Sequence, residues 1–420
     1  MSKKDIIVGI DIGSSNIRTI ITQVFPEEEM PRIIGVGVAG SAGIRKGVVV
    51  DLEETIRSIN ESVEKAEANS GRIVEKAIVN LGGGHITSQE SKGVIAVGRA
   101  DGEVTEDDIA RVINAAQAIS IPANKEIIHV IPRSYSLDDQ KGIKDPLGMN
   151  GVRLEVDAMI IEGATPFVRN IIKCFEQSKI KLDSFVLSPL AAAKATLSKR
   201  QKELGVALVD IGGGTTSIAV FEENDLLHTA VLPIGGGHIT NDIAIGLRTS
   251  IEVAEKVKLE YGNAQPKEIG KKEDIDLSVI DPNEEGTVSR HHVAEIIEAR
   301  LEEIFLLVNK ELKSIGREKL LPAGVVLTGG TSKLPGTVDL AKSTLALPAQ
   351  AGFPVPLGGL VDKVDDPSFA TAVGLVLWGL EGLAYGKSGG MEKNKITSAI
   401  SGSVGSSVDS MRKWIGKFLP

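Results

Sequence analysis

The sequence predicts an α/β fold of at least two domains, and three observations carry that expectation. At 420 residues with 42% hydrophobic content the chain can bury two core-sized units. Apolar runs of strand length alternate with segments of helical periodicity, the pattern of an α/β chain. Two apolar runs, Asp5 to Thr22 and Gly205 to Phe221, each turn at glycine and resume, so each reads as a β-hairpin.

Helical periodicity with start signals covers Asp51 to Ala68, Thr105 to Ala118, Thr165 to Ser178, Ser289 to Leu312 and Ser368 to Leu383. Asn263 to Thr287, rich in charge, proline and glycine, reads as a loop or insertion. After Tyr385 the composition turns to Gly, Ser and Lys, a flexible-linker composition, and the folded body is expected to end near Gly386. A single cysteine, Cys174, excludes a disulfide framework and fits a reducing compartment such as the cytosol. The apolar strand Ile6 to Ile12 is too short and interrupted for a signal peptide. No run reaches the roughly 20 apolar residues of a spanning helix, so membrane contact would come from an element lying on the surface. The net charge of −9 argues against nucleic acid as a partner. Residues 391–420 hold five Lys/Arg against two Asp/Glu, so the tail is basic on an acidic body.

The chemistry sits at the two hairpin turns. Asp11 and Ile12 lead into Gly13, Ser14, Ser15 and Asn16, placing a glycine and small polar side chains where backbone amides can approach phosphate oxygens. Asp210 and Ile211 lead likewise into Gly212, Gly213, Gly214, Thr215 and Thr216, with three glycines to free the backbone. One such turn is more often an ordinary β-turn; two matched turns point to a phosphate site. Asp11 and Asp210 suit a hydrated divalent cation bridging phosphates, as magnesium prefers, which gives them a metal role through water. Gly235, Gly236 and Gly237 open a helix whose amino end can face phosphate. Glu255 and Lys258 stand one helical turn apart and can face one ligand. The apolar strand Gly324 to Leu327 runs into Thr328, Gly329, Gly330 and Thr331, the floor of a pocket.

In this order and at these separations, with Ser188 to Ala193 as a connecting helix, the segments resemble the phosphate-1, connecting, phosphate-2, ribose and adenosine segments of the actin, Hsp70 and sugar-kinase superfamily. The resemblance implies ATP and Mg2+ as cofactors. Gly13 to Asn16 and Gly212 to Thr216 would hold phosphates, and Gly235 to Gly237 would close over them. Glu255 and Lys258 would meet ribose or adenine, and Gly329, Gly330 and Thr331 would line the base pocket. Many members place Glu or Gln before the connecting proline to position the attacking water. Here Ser188 stands there, so at most a weak or switch-like ATPase is expected.

Outside the nucleotide segments, Ile127 to Pro132 continues through Asp138 and Gly142 to Asp145, Pro146, Leu147, Gly148, Met149, Asn150 and Gly151. This stretch, with Gly35 to Val48, Asp51 to Gly71, Asn80 to Ser91 and Ala254 to Gly262, resembles the bacterial cell-division family FtsA. The likeness implies an actin-like two-domain fold with an FtsA-type replacement subdomain. Residues 1–83, 162–200 and 365–386 would form the first lobe, and 84–161 an inserted small α/β subdomain. Residues 201–243 and 303–364 would form the second lobe, 244–302 its smaller subdomain, 387–406 a linker and 407–420 a membrane-targeting helix. It further implies self-assembly into a filament or oligomer, tethering of FtsZ, and docking of downstream divisome proteins. The place implied is the cytoplasmic face of the inner membrane at the septum. His129, like His85, His228, His238, His291 and His292, reads as a packed or surface histidine, since no zinc spacing links them.

In the tail, Val408, Met411, Trp414, Ile415, Phe418 and Leu419 fall on one helical face with Arg412, Lys413 and Lys417 on its flanks. A helix of about 20 Å is too short to span hydrocarbon but suits in-plane burial among anionic lipids. Two other readings share the hairpins. A sugar or small-molecule kinase needs an aspartate base, for which Asp183 is the one candidate near the connecting helix. A pilus-assembly actin-like adaptor ordinarily lacks so long a basic tail. An Hsp70-type chaperone needs a peptide-binding domain, and only 34 of the 420 residues follow Gly386.

Overall fold

The computed structural model describes residues 6–270 and 272–388. The chain begins with an antiparallel meander, β1 (Ile6–Ile12), β2 (Asn16–Gln23) and β3 (Arg32–Gly40). A tight pair, β4 (Ile44–Arg45) and β5 (Val48–Val49), then precedes α1 (Leu52–Ser70) and β6 (Lys76–Leu81). Next come β7 (Thr87–Ala96), α2 (Glu106–Ala116), β8 (Lys125–Leu137), β9 (Gln140–Ile143) and β10 (Arg153–Ala164). They are followed by α3 (Thr165–Gln177), β11 (Lys181–Leu187), α4 (Ser188–Thr196) and α5 (Lys199–Leu204). A second meander follows, β12 (Val206–Ile211), β13 (Thr216–Glu222) and β14 (Asp225–Leu232), then α6 (Gly236–Leu247) and α7 (Ile251–Tyr261). The chain continues through β15 (Asp274–Asp276), α8 (Leu277–Ile280), β16 (Thr287–Ser289), α9 (Arg290–Ser314) and β17 (Val325–Thr328). It closes with α10 (Thr337–Leu345), β18 (Ala349–Ala351), β19 (Gly358–Gly359) and α11 (Ala370–Ser388).

Contacts divide the chain into two compact units. Of the described residues, one unit comprises 6–85 with 169–376, the other 86–168 with 377–388. The first unit holds two sheets of one plan. Their strand orders are β11-β6-β1-β2-β3-β19 and β14-β13-β12-β17-β18. In each, a meander supplies three antiparallel strands, and two parallel strands extend the sheet beyond the first strand of the meander. The two hairpins legible in the sequence therefore occupy equivalent places. Helix α4 packs on β6 and β11 of one sheet and on β12, β13 and β17 of the other. Its residues Ser188 to Ala193 are all buried, and its alanines, with no bulky side chain on any face, let both sheets approach. Helix α1 starts where Asp51 accepts a hydrogen bond from the Glu54 amide (3.0 Å) and stops at Gly71, whose φ of 64° only a left-handed position requires.

The second unit carries an antiparallel sheet, β7-β10-β8-β9, with α2 covering it over Val112, Ile113, Leu154 and Ile160, all fully buried. A reciprocal capping box, Thr105 with Asp108, begins α2. His129 is buried here with its ring 5.8 Å from Trp378, a packed histidine as the sequence suggested.

Two segments take a more definite form than their sequence gives. Within 263–287, read from sequence as a loop or insertion, lie β15, which pairs with β16, and the short α8, held because Ile275, Leu277 and Ile280 insert into the core beneath α9. The pocket-floor strand β17 runs into the glycine turn, which takes a 3-10 form over Gly330–Lys333, before α10 begins at Thr337. The linker from residue 389 and the tail residues Val408, Met411, Arg412, Lys413, Trp414, Ile415, Lys417, Phe418 and Leu419 lie outside the described residues. Among the described residues no helix is long and apolar enough to cross a membrane.

Candidate functional site

The two hairpin turns close identically. The Gly13 amide donates to the Asn16 carbonyl (3.1 Å) and the Gly212 amide to the Thr215 carbonyl (2.9 Å). Among the described residues none accepts from the amides of Ser14, Ser15, Gly213 or Gly214, so both tips present free donors. The tips face each other within the first unit. A Cβ on Gly213 would lie 1.9 Å from Ser15 Oγ, and one on Gly236 would lie 2.2 Å from Thr331 Oγ1, so glycine is required at both.

Between the hairpins lies a cleft of about 1200 Å³, ample for a nucleoside triphosphate. Asp11, Gly13 to Asn16, Asp210, Gly212 to Thr215, Gly236, Gly237, Glu255, Lys258 and Gly329 to Thr331 all line it. Two predicted residues stand behind the wall instead. Thr216 is fully buried with its hydroxyl donating to the Ile234 carbonyl (2.9 Å), because it is the first strand residue and strand alternation turns it into the core. Gly235 packs against the Gly212 and Gly213 carbonyls. The amino end of α6 is also less free than its sequence implies. The Gly236 amide donates to Gly212 O (2.9 Å) and the Gly237 amide to Gly213 O (2.7 Å). These bonds clamp helix to hairpin and remove two amides from any anion.

Asp11 and Asp210 form the floor. Asn80, at the carboxyl end of β6, donates to Asp11 Oδ1 (2.7 Å) and to Ser188 Oγ (3.2 Å) and accepts from the Ile12 amide (2.7 Å). Ser188 in turn donates to the Leu81 carbonyl (3.0 Å). The Thr371 hydroxyl donates to Asp210 Oδ2 (3.2 Å). Burial pushes Asp11 up to about 7, with the Asp210 charge adding and Arg18, 4.0 Å away, opposing. Burial likewise pushes Asp210 up to about 6, against the Thr371 hydrogen bond and Arg18. Two desolvated carboxylates served by one guanidinium call for further positive charge, a donor set that fits a hydrated dication. On the α7 side, Lys258 Nζ donates to Glu255 Oε2 (2.6 Å) and Thr240 Oγ1 (2.8 Å), and the Thr240 hydroxyl bonds the same carboxylate. Ile251, Leu259, Leu334 and Pro335 supply apolar walls.

Asp183 takes no part in the cleft; it is half exposed on β11, 3.7 Å from Lys76. Arg18, Asn80, Arg45 and Lys46 line the cleft and were not singled out from sequence. Asn80 carried a signal, as a polar residue near the carboxyl end of a mostly apolar parallel strand, where ligands of α/β sheets gather.

Two like-built sheets joined by a buried helix, each presenting a glycine turn and an aspartate to one cleft, define an actin-like protein. Solved structures agree. The PilM–PilN type IV pilus biogenesis complex matches with a TM-score of 0.64 at 18% identity over 89% of this chain and 98% of that one. MreB5 of Spiroplasma citri bound to ADP matches at 0.54 and 12% identity over 92% and 100%. Two family models match as well. The cell division protein FtsA model covers residues 207–374, and the SHS2 domain inserted in FtsA covers 83–162. Curated relatives extend the likeness along the chain. FtsA of Pseudomonas aeruginosa is 42% identical over 91% of both chains, FtsA of Bacillus subtilis 42% identical over 90% and 84%, and FtsA of Escherichia coli K12 32% identical over 99% and 98%. The chain belongs to the FtsA family of cell-division proteins.

Proposed function

We propose that this chain is a nucleotide-controlled division scaffold. It binds ATP with Mg2+ in the cleft, assembles on the inner membrane face, tethers FtsZ filaments there and recruits later division proteins. The matched hairpins facing two desolvated aspartates support this reading most strongly. Ser14, Ser15, Gly213 and Gly214 would offer amides to phosphate oxygens, and Asp11 and Asp210 would hold Mg2+ through water. Glu255 and Lys258 would meet the ribose, and Gly329 to Thr331 the base. The cation supplies neutralising charge for the phosphates when bound. Hydrolysis would be slow at most, since Ser188 is engaged with Asn80 and Leu81 and no carboxylate or carboxamide stands at that position. The kinase reading loses its base with Asp183 turned to Lys76.

Membrane attachment rests on the amphipathic tail sequence. A single such helix binds weakly, so assembly would make attachment durable through multivalency. Co-sedimentation with anionic liposomes, with and without ATP and Mg2+, tests this by comparing the full chain with one ending at Gly386, FtsZ being added afterwards. Pelleting of FtsZ by the full chain alone supports the scaffold. A full chain that stays in solution under every nucleotide condition refutes membrane tethering.

A further inference from the structure

The turn between β4 and β5 holds two residues, Lys46 and Gly47, with φ of 51° and 74°. Such a turn ordinarily carries Asn, Asp or Gly at its first position, and a lysine held left-handed there is strained. The turn is wedged against both hairpin tips. The Gly47 amide donates to Ser14 Oγ (3.0 Å), and a Cβ on Gly214 would lie 3.0 Å from the Lys46 nitrogen. Arg45 and Lys46 are exposed and line the cleft.

The other cations of the cleft are committed. Arg18 faces Asp11 and lies over Phe369, Lys258 is bonded to Glu255, and Lys333 to Asp366. Among the described residues no ion pair engages Arg45 or Lys46, which leaves two free positive charges beside the tips that present free amides. A diphosphate can be held by amide dipoles and a hydrated cation. A third phosphoryl group adds negative charge beyond what neutral amides and one dication match.

We infer that the Arg45–Lys46 turn senses the terminal phosphate. Lys46, with Arg45 beside it, makes the cleft prefer a nucleoside triphosphate over a diphosphate, at the point where the two hairpins meet. The inference rests on the nucleotide reading of the cleft and deepens it. A signal held at a turn touching both hairpins is also placed to report whether the terminal phosphate is present.

Calorimetric titration of the full chain with ADP and with AMPPNP, both with Mg2+, tests it in the wild type, Lys46→Asn, Lys46→Arg and Arg45→Gln. Asn tolerates the left-handed turn, so Lys46→Asn should unfold no earlier than wild type without nucleotide. It should bind AMPPNP about tenfold more weakly, the worth of one charge-assisted hydrogen bond, and ADP within about threefold of wild type. Lys46→Arg should restore AMPPNP binding, and Arg45→Gln should shift it in the same direction as Lys46→Asn. Equal weakening of both nucleotides, or of neither, overturns the inference while leaving the nucleotide site standing. Failure of the wild type to bind either nucleotide removes the site itself and the inference with it.

Discussion

Replacing Asp210 by asparagine should stabilise the empty protein and remove its response to magnesium. The carboxyl of Asp210 is raised from 3.8 to about 6, chiefly by burial. A raised carboxyl penalises the fold when ionised. The penalty is absent below pH 3.8, grows as the pH rises toward 6, and is complete above that. A shift of that size corresponds to about 3 kcal/mol. Asp210 keeps part of its surface in the cleft, so water screens it, and about 1–2 kcal/mol is the better figure. Asparagine can still accept the Thr371 hydroxyl at Oδ1, and it removes a charge that also raises Asp11. Thermal unfolding in EDTA should therefore show Asp210→Asn melting a few degrees above wild type at pH 8, with the gap closing toward pH 4. With saturating ADP, adding Mg2+ should stabilise the wild type by about 2.7 kcal/mol at a hundredfold excess over Kd, raising its melting point, and leave the variant unmoved. A variant less stable than wild type at pH 8, or one that keeps the full magnesium increment, refutes the argument that this carboxylate waits for a cation.

Gly213→Ala drives a methyl toward Ser15 Oγ at 1.9 Å; it should destabilise the fold by about 1–3 kcal/mol and abolish the nucleotide-induced thermal shift, whereas pairing it with Ser15→Gly should recover much of the stability. Asp108 is buried, and although burial raises its carboxyl, donors from Thr105, Gly98 and Arg111 prevail and bring it to about 2. Its contribution, about 2 kcal/mol, is therefore present above pH 3.8 and lost as the pH falls toward 2, so acid titration should show Asp108→Asn and wild type converging in that window. Ser188→Ala severs the link from Asn80 to Leu81; chemical denaturation should show a loss of about 1 kcal/mol, with ADP affinity within about threefold of wild type.

The architecture was legible because its signals are local. An apolar run broken by glycine beside an aspartate specifies a strand, a tight turn and a strand, and this chain repeats it at Asp11 and Asp210. Helix starts such as Asp51, Thr105 and Ser289 cap the helices they promised. What escaped was decided by partners distant in sequence. The amides of Gly236 and Gly237 looked free until the hairpin carbonyls of Gly212 and Gly213 took them. Residues 263–287 read as a loop or insertion because charges outnumber the few apolar side chains, Ile275, Leu277 and Ile280 among them, that anchor the segment. Thr216 looked like its neighbour Thr215, yet Thr215 closes the turn while Thr216 opens β13 with its hydroxyl turned to the Ile234 carbonyl.

The clamp between hairpin and helix bears on how the cleft would respond to a ligand. Because the Gly212–Gly213 backbone and the start of α6 are joined by two short hydrogen bonds, a displacement of the turn on binding phosphate carries α6 with it. Helix α6 is in turn tied to α9 by a forked pair, in which Arg300 Nε and Nη2 donate to Asp242 (2.5 and 2.9 Å). On the proposed reading, a phosphate contact at the hairpin tip would thus be delivered to a 25-residue helix without any intervening flexible loop. Such a route needs no hydrolysis: occupancy alone would bias it, which suits a site whose residue before Pro189 is a serine already engaged on both sides.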